Sequence, residues 1–172
     1  MTQSATKTKP LVMSAVFAAL GSCVQIIEGY IPSAFPLPGG KLGLSNVVNM
    51  VVLRCFGVKH ALLTTAMKSI VAMLLSGNVS ALPYSLAGGI FSVIFMYIVE
   101  KMPKRPGSAG IGIIGAWTNN IAQTAVGALI MSNIHILSYI WILGPVSVVT
   151  GAFTGIVSDF IVRKFNVKNH VN

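Results

Sequence analysis

Acidic residues are almost missing from this chain. Glu28, Glu100 and Asp159 are the three of them, against 12 Lys plus Arg, and the net charge is +9 over 172 residues. They fall on different predicted helices, so no paired-aspartate motif exists for a magnesium diphosphate. Charge of either sign is scarce as well, at 9%, while 54% of the residues are hydrophobic. Soluble domains carry roughly a quarter charged residues, so the composition belongs to an integral membrane protein. Cysteine is limited to Cys23 and Cys55. They are predicted near opposite membrane faces, which argues against a disulfide, and no CxxC pair is present. His60, His135 and His170 share no ligand spacing, and no Ser/His/Asp arrangement can be assembled. The one Gly-Lys pair, Gly40–Lys41, is followed by Leu42 and not by a phosphate-binding Ser or Thr. ATP hydrolysis and phosphate chemistry are therefore excluded for the chain alone. No enzyme activity, metal or cofactor is expected.

What is abundant is uncharged length. Residues 10–27, 69–99 and 106–158 contain no Lys, Arg, Asp or Glu, and a helical span needs about 20 apolar residues. The two longer runs contain breaks, "SGNVSALPYS" at 76–85 and "SNIHILS" at 132–138. Six helices are predicted, over 11–31, 42–57, 59–76, 84–101, 109–131 and 138–164. The second is the shortest, and the turn-rich "PLPGGK" precedes it. The lack of alternating apolar strands argues against a β-barrel. With the N-terminus in the cytoplasm, ten basic residues fall inside: Lys7, Lys9, Arg54, Lys59, Lys101, Lys104, Arg105, Arg163, Lys164 and Lys168. Only Lys41 falls outside. The positive-inside rule then predicts six spans in a compact all-α bundle with both termini cytoplasmic. The expected organisation is a cytoplasmic segment 1–10, one membrane domain 11–165 and a polar tail 166–172, in a multi-pass protein of the cell membrane. "LGSC" at 20–23 has the form of a lipoprotein cleavage site, but the apolar run continues past it, and removal would leave five spans. Basic residues scattered at helix ends are topology signals, and no basic stripe with interleaved aromatics points to nucleic acid.

Lys68 stands in the middle of "LLTTAMKSIVAML". A mid-membrane lysine costs about 2.5–3.5 kcal/mol on insertion scales. It lies nine residues beyond Lys59, about 14 Å of helix rise, too deep for easy snorkelling. Either it contacts a substrate anion, or it pairs structurally, with Glu28 as the partner at hand. In "KLGLSNVVNMV", Asn46 and Asn49 are three apart and share a helix face. In "WTNNIAQTAVG", Asn119, Asn120 and Gln123 put three amides in one span. Such groups bind a ligand's polar edge or join helices by hydrogen bonds. Trp117 and Tyr84 are candidates to stack on a ring. Ala15 and Ala19, and likewise Ser14 and Ala18, form small-xxx-small pairs that permit close helix contact. "GAFTG" at 151–155, with the glycines at 88, 89, 110, 112 and 115, is assigned to helix packing. A proton or sodium route would rest on Glu28 or Asp159.

"PGGKLGLSNVVNMVVL", "ALLTTAMKSIVAMLLSG", "YSLAGGIFSVIFM" and "WTNNIAQTAVGALIM", in that order, resemble the Gx transporter family, which is also labelled heptaprenyl diphosphate synthase component I. The resemblance covers about 35–160. It implies a small six-helix subunit like the substrate-binding subunits of energy-coupling-factor transporters. Such subunits capture a vitamin-like molecule from outside and dock on a membrane coupling subunit driven by two ATPases. The docking AxxxA pair of that wider group matches Ala15 and Ala19, and its basic residue in helix three matches Lys68. On this reading Lys68 meets an anionic group, and Asn46, Asn49, Asn119, Asn120 and Gln123 hold polar edges. Trp117 or Tyr84 stacks on a ring, and loops 32–41 and 77–84 close over a flavin, quinone precursor or isoprenoid-related molecule. The rival reading is a non-catalytic accessory protein of prenyl diphosphate or quinone synthesis, or of flavin-based extracellular electron transfer. A solo ion-coupled carrier is the third.

Overall fold

The computed structural model describes residues 3–30 and 42–169. They form six α-helices and one 3-10 turn: α1 Gln3–Tyr30, α2 Asn46–Phe56, α3 Val58–Ser76, α4 Ala81–Glu100, α5 Ser108–Ile130, the turn Ile134–Tyr139, and α6 Ile140–Asn169. No strand occurs among the described residues. The expected closure of 32–41, and Lys41 with it, lies outside the described residues.

Several helix ends differ from expectation for local reasons. α1 starts at Gln3 and not at 11, so the helix runs through Pro10, the residue that marks a helix boundary in the sequence. α4 starts at Ala81, three residues early. Pro83 sits in its first turn, where the missing N–H costs nothing, and the Asn78 side chain accepts from the Ala81 N–H at 3.2 Å. α6 starts at Ile140 because Asn133 caps a separate 3-10 turn, accepting from the His135 N–H at 3.0 Å. It then runs on to Asn169, through much of the expected polar tail.

The difference that shapes the site concerns α2. It begins at Asn46, four residues later than expected, and 11 residues reach only about 16 Å. Gly43 has φ +85°, a left-handed conformation in which a β-carbon is strained. The left-handed Gly57 alone joins α2 to α3.

This short helix is the centre of the bundle. It packs against each of the other five helices, and Val48 and Met50–Leu53 are buried. Phe17, Val93, Met96 and Ile111 from the surrounding helices complete the core around it. α5 lies between α4 and α6, and α3 between α1 and α4. At the α5–α6 crossing, Gly112 faces Gly151 and Gly155 backbone to backbone, the close approach that small residues permit between membrane helices.

Four stretches are long and apolar enough to cross a membrane: Pro10–Tyr30, Val58–Ser76, Ala81–Glu100 and Ile134–Phe165. Their outward faces carry large apolar side chains such as Leu20, Leu74, Phe91 and Phe153, as lipid contact requires. α5 has the length, and its buried amides lower its hydropathy.

Candidate functional site: a polar centre around the start of the short helix

Because α2 stops short, the non-helical segment 42–45 lies deep in the bundle. Irregular backbone at membrane depth persists only where its polar groups are satisfied internally. Two opposite charges do this here. Glu28 of α1, 4% exposed, accepts from the Gly43 and Leu44 N–H groups. Its negative charge meets the positive end of α2. Lys68 of α3, 2% exposed, donates to the Ser45 carbonyl and to Ser45 Oγ, each at 3.0 Å. Gly21 makes room for its stem: a β-carbon there would come within 3.1 Å of Lys68 Cδ. The lysine and the acid thus bracket one three-residue segment. Lys68 has a structural task whatever else it contacts.

The amides gather beside that segment. Asn49 Nδ2 donates to Asn46 Oδ1 at 3.2 Å. Gly43 separates Asn46 from Asn119, lying where a β-carbon would come 3.1 Å from each side-chain nitrogen. On α4, Gly88 lies against Asn119 and Gln123. Tyr84, buried, stands one turn earlier on the same face. Asn119 Nδ2 donates to Asn120 Oδ1 at 3.3 Å, and Asn120 turns toward α6, donating to Ser147 Oγ at 2.8 Å. Asn46 Nδ2 and Asn49 Oδ1 are buried with no hydrogen-bond partner among the described residues. Buried amide atoms left this way cost about 1–3 kcal/mol each unless something else pairs with them.

Alanine at Gly88 tests how tightly this cluster is set. Its β-carbon would come under 3.0 Å from Asn119 Oδ1 and Gln123 Cγ, so both side chains must move. The expected loss is about 1–3 kcal/mol in thermal unfolding, together with weaker retention of any ligand held by the amides. No change in either would show that the cluster has spare room.

A second polar seam joins α1, α3 and α4. Gln25 Nε2 donates to Ser85 Oγ at 2.7 Å, and Ser69 and Ser85 share a 2.8 Å bond. Sequence reasoning did not single out Gln25, Ser69, Ser85 or Ser147. The available signal was a polar residue in an apolar span, which for serine is weak. Trp117 is not brought to the amides. It is 41% exposed and its ring packs over Gly144 of α6.

The two small-residue pairs of α1 separate cleanly. Ser14, Ala18 and Ser22 are buried against α3, where Thr64 Oγ1 donates to the Ser14 carbonyl at 3.5 Å and Ser22 Oγ to that of Lys68 at 3.0 Å. Ala15 and Ala19 lie on the exposed face.

At the far end of the bundle, Glu100 and Asp159 converge on Arg54, with Arg54 Nε 2.9 Å from Glu100 Oε1 and Nη1 3.2 Å from Asp159 Oδ1. The sequence had marked Arg54 only as a topology signal. Among the described residues no three His, Cys, Asp or Glu side chains could hold a metal ion.

These features define a class: a helical membrane protein whose polar centre surrounds the start of a short central helix. The family model described as heptaprenyl diphosphate synthase component I matches residues 17–161, and the chain belongs to that family. No curated protein and no solved structure matches it.

Proposed function

We propose that this protein is the substrate-capturing membrane subunit of an energy-coupling-factor type transporter. It spans the membrane six times with both termini in the cytoplasm, and takes up a small vitamin- or cofactor-like molecule from the outer side. The observation that carries this reading is the pair of buried amide atoms, Asn46 Nδ2 and Asn49 Oδ1, without a hydrogen-bond partner among the described residues. They lie at the start of a helix too short to cross the bilayer, and helix ends inside the membrane build binding sites in transporters. Asn119, Gln123 and Tyr84 complete the polar wall. Lys68 supplies positive charge to an anionic group of the molecule while it holds Ser45. Trp117 is assigned to lipid-facing packing, so Tyr84 is the ring-stacking candidate. The exposed Ala15 and Ala19 are the surface on which a coupling subunit, driven by two ATPases, docks.

The family description favours a second reading, a non-catalytic membrane component that accompanies a prenyl diphosphate synthase. Mass spectrometry and absorbance of small molecules released from the gently purified protein separate the two. One stoichiometric molecule carrying an anionic group supports capture. An empty protein recovered with a synthase subunit supports the accessory role.

A further inference from the structure

The end of the bundle where α2, α4 and α6 finish and α5 begins holds an open cavity of about 730 Å³. Arg54, Lys101, Arg105 and Arg163 line it, with Glu100 and Asp159 as the acids. The acids are already engaged. Glu100 bonds Arg54, and Asp159 accepts from Arg54, from Ser108 Oγ at 2.9 Å and from Arg163 Nε at 2.8 Å. Lys101 and Arg105 make no ion pair with a described residue; Lys101 lies 5.7 Å from the centre of the Tyr97 ring. Four bases against two acids leave a surplus of two positive charges, carried by side chains at the cavity's edge. Arg54 uses Nε and Nη1 in its bonds, and its second amino group, Nη2, takes no part in them. The wall of the cavity changes character inward, where Leu53, Ile111 and Val162 are apolar. α5 enters through Gly107 with no side-chain cap, which adds the positive end of a 23-residue helix to the same space.

We infer that this cavity binds the phosphate headgroup of a membrane lipid. The chemistry is that of a phosphate mono- or diester: two uncompensated cations, an arginine fork already oriented by two carboxylates, and an apolar wall for the first carbons of the glycerol or alkyl chain. A lipid is the source because the cavity lies at the end of an apolar helix bundle, at the level where headgroups gather. On the six-span reading this is the cytoplasmic face, where anionic lipid is enriched. Headgroup binding here would tie α2, α4, α5 and α6 together at the end opposite the polar centre, and does not depend on what that centre binds.

The test uses delipidated full-length protein in detergent, titrated with dioleoyl phosphatidic acid and followed by native mass spectrometry. Lys101→Gln with Arg105→Gln removes the two unpaired cations at exposed positions without touching the Arg54 network. Lys59→Gln with Lys164→Gln removes the same charge at exposed positions outside the cavity. One phosphatidic acid per protein is expected, preferred over phosphatidylcholine. The cavity pair should weaken binding about 30-fold, with little change in the control pair. Equal affinity for the two lipids, or an equal loss in both double variants, would overturn the site. Competition by glycerol 3-phosphate as effective as that by the lipid would overturn the lipid source and assign the cavity to soluble phosphate esters.

Discussion

Alanine at Gly112 is expected to destabilise the protein severely. The added β-carbon would stand under 3.0 Å from the Gly151 carbonyl oxygen and from the Gly155 nitrogen and α-carbon. All three are backbone atoms of α6, so no side-chain rotation relieves the overlap, and the helices must separate. Overpacking costs about 1–3 kcal/mol where neighbours can yield, and here the upper end is expected because they cannot. Separation would also loosen the long α5–α6 seam that holds Asn120 against Ser147. Gly29→Ala is the control, since among the described residues no atom outside its own stretch of helix lies within 4 Å of the new β-carbon. It should be neutral, or stabilising by about 0.5–1 kcal/mol through helix propensity. Thermal unfolding of both variants in detergent measures the difference. Similar melting temperatures would show that α5 and α6 are not in backbone contact.

Replacing Lys68 by methionine removes one side of the charge bracket around residues 43–45. Glu28 keeps its bonds from the Gly43 and Leu44 N–H groups, but methionine takes the donor away from the buried Ser45 carbonyl and hydroxyl, at about 1–3 kcal/mol for each group left unpaired. The single variant should therefore be much less stable than the native protein. The double variant Glu28→Gln, Lys68→Met should recover part of that loss, with a coupling energy of about 1–3 kcal/mol from the double-mutant cycle. Simple additivity would mean that the two charges act independently on the 43–45 segment. Stability alone does not separate capture from an accessory role, since Lys68 supports the fold in either case. Ligand affinity per folded molecule does: capture predicts its loss in Lys68→Met, and an accessory role predicts no ligand to lose.

The sequence reading of Lys68 left two answers open, a substrate anion or Glu28. The structure adds a third partner, Ser45, that no spacing argument could supply. Whether 41–45 was helix or loop decided where Ser45 would be, and the reading extended the helix back to 42. The left-handed Gly43 is the local reason that it does not reach that far.

The sequence by itself determined the membrane character, the number of helices and most of their limits. Scarce charge, long uncharged runs and the Pro, Gly and Asn punctuation between them are local properties that lipid makes strict. It also named the amides of α2 and α5 that meet in the polar centre. Only the tertiary structure decided which helix is central, which face of α1 is buried, and that Trp117 stays outside while Gln25 and Ser85 go in. The physical reason is that lipid is as apolar as the core. Along α1, Phe17 is buried and Leu20 exposed, yet both are equally apolar to a reader of sequence. A helix in water betrays its inner face by a polar outer one. In a bilayer that contrast disappears, and the inner face is set by close backbone contacts and hydrogen bonds between residues far apart in the chain.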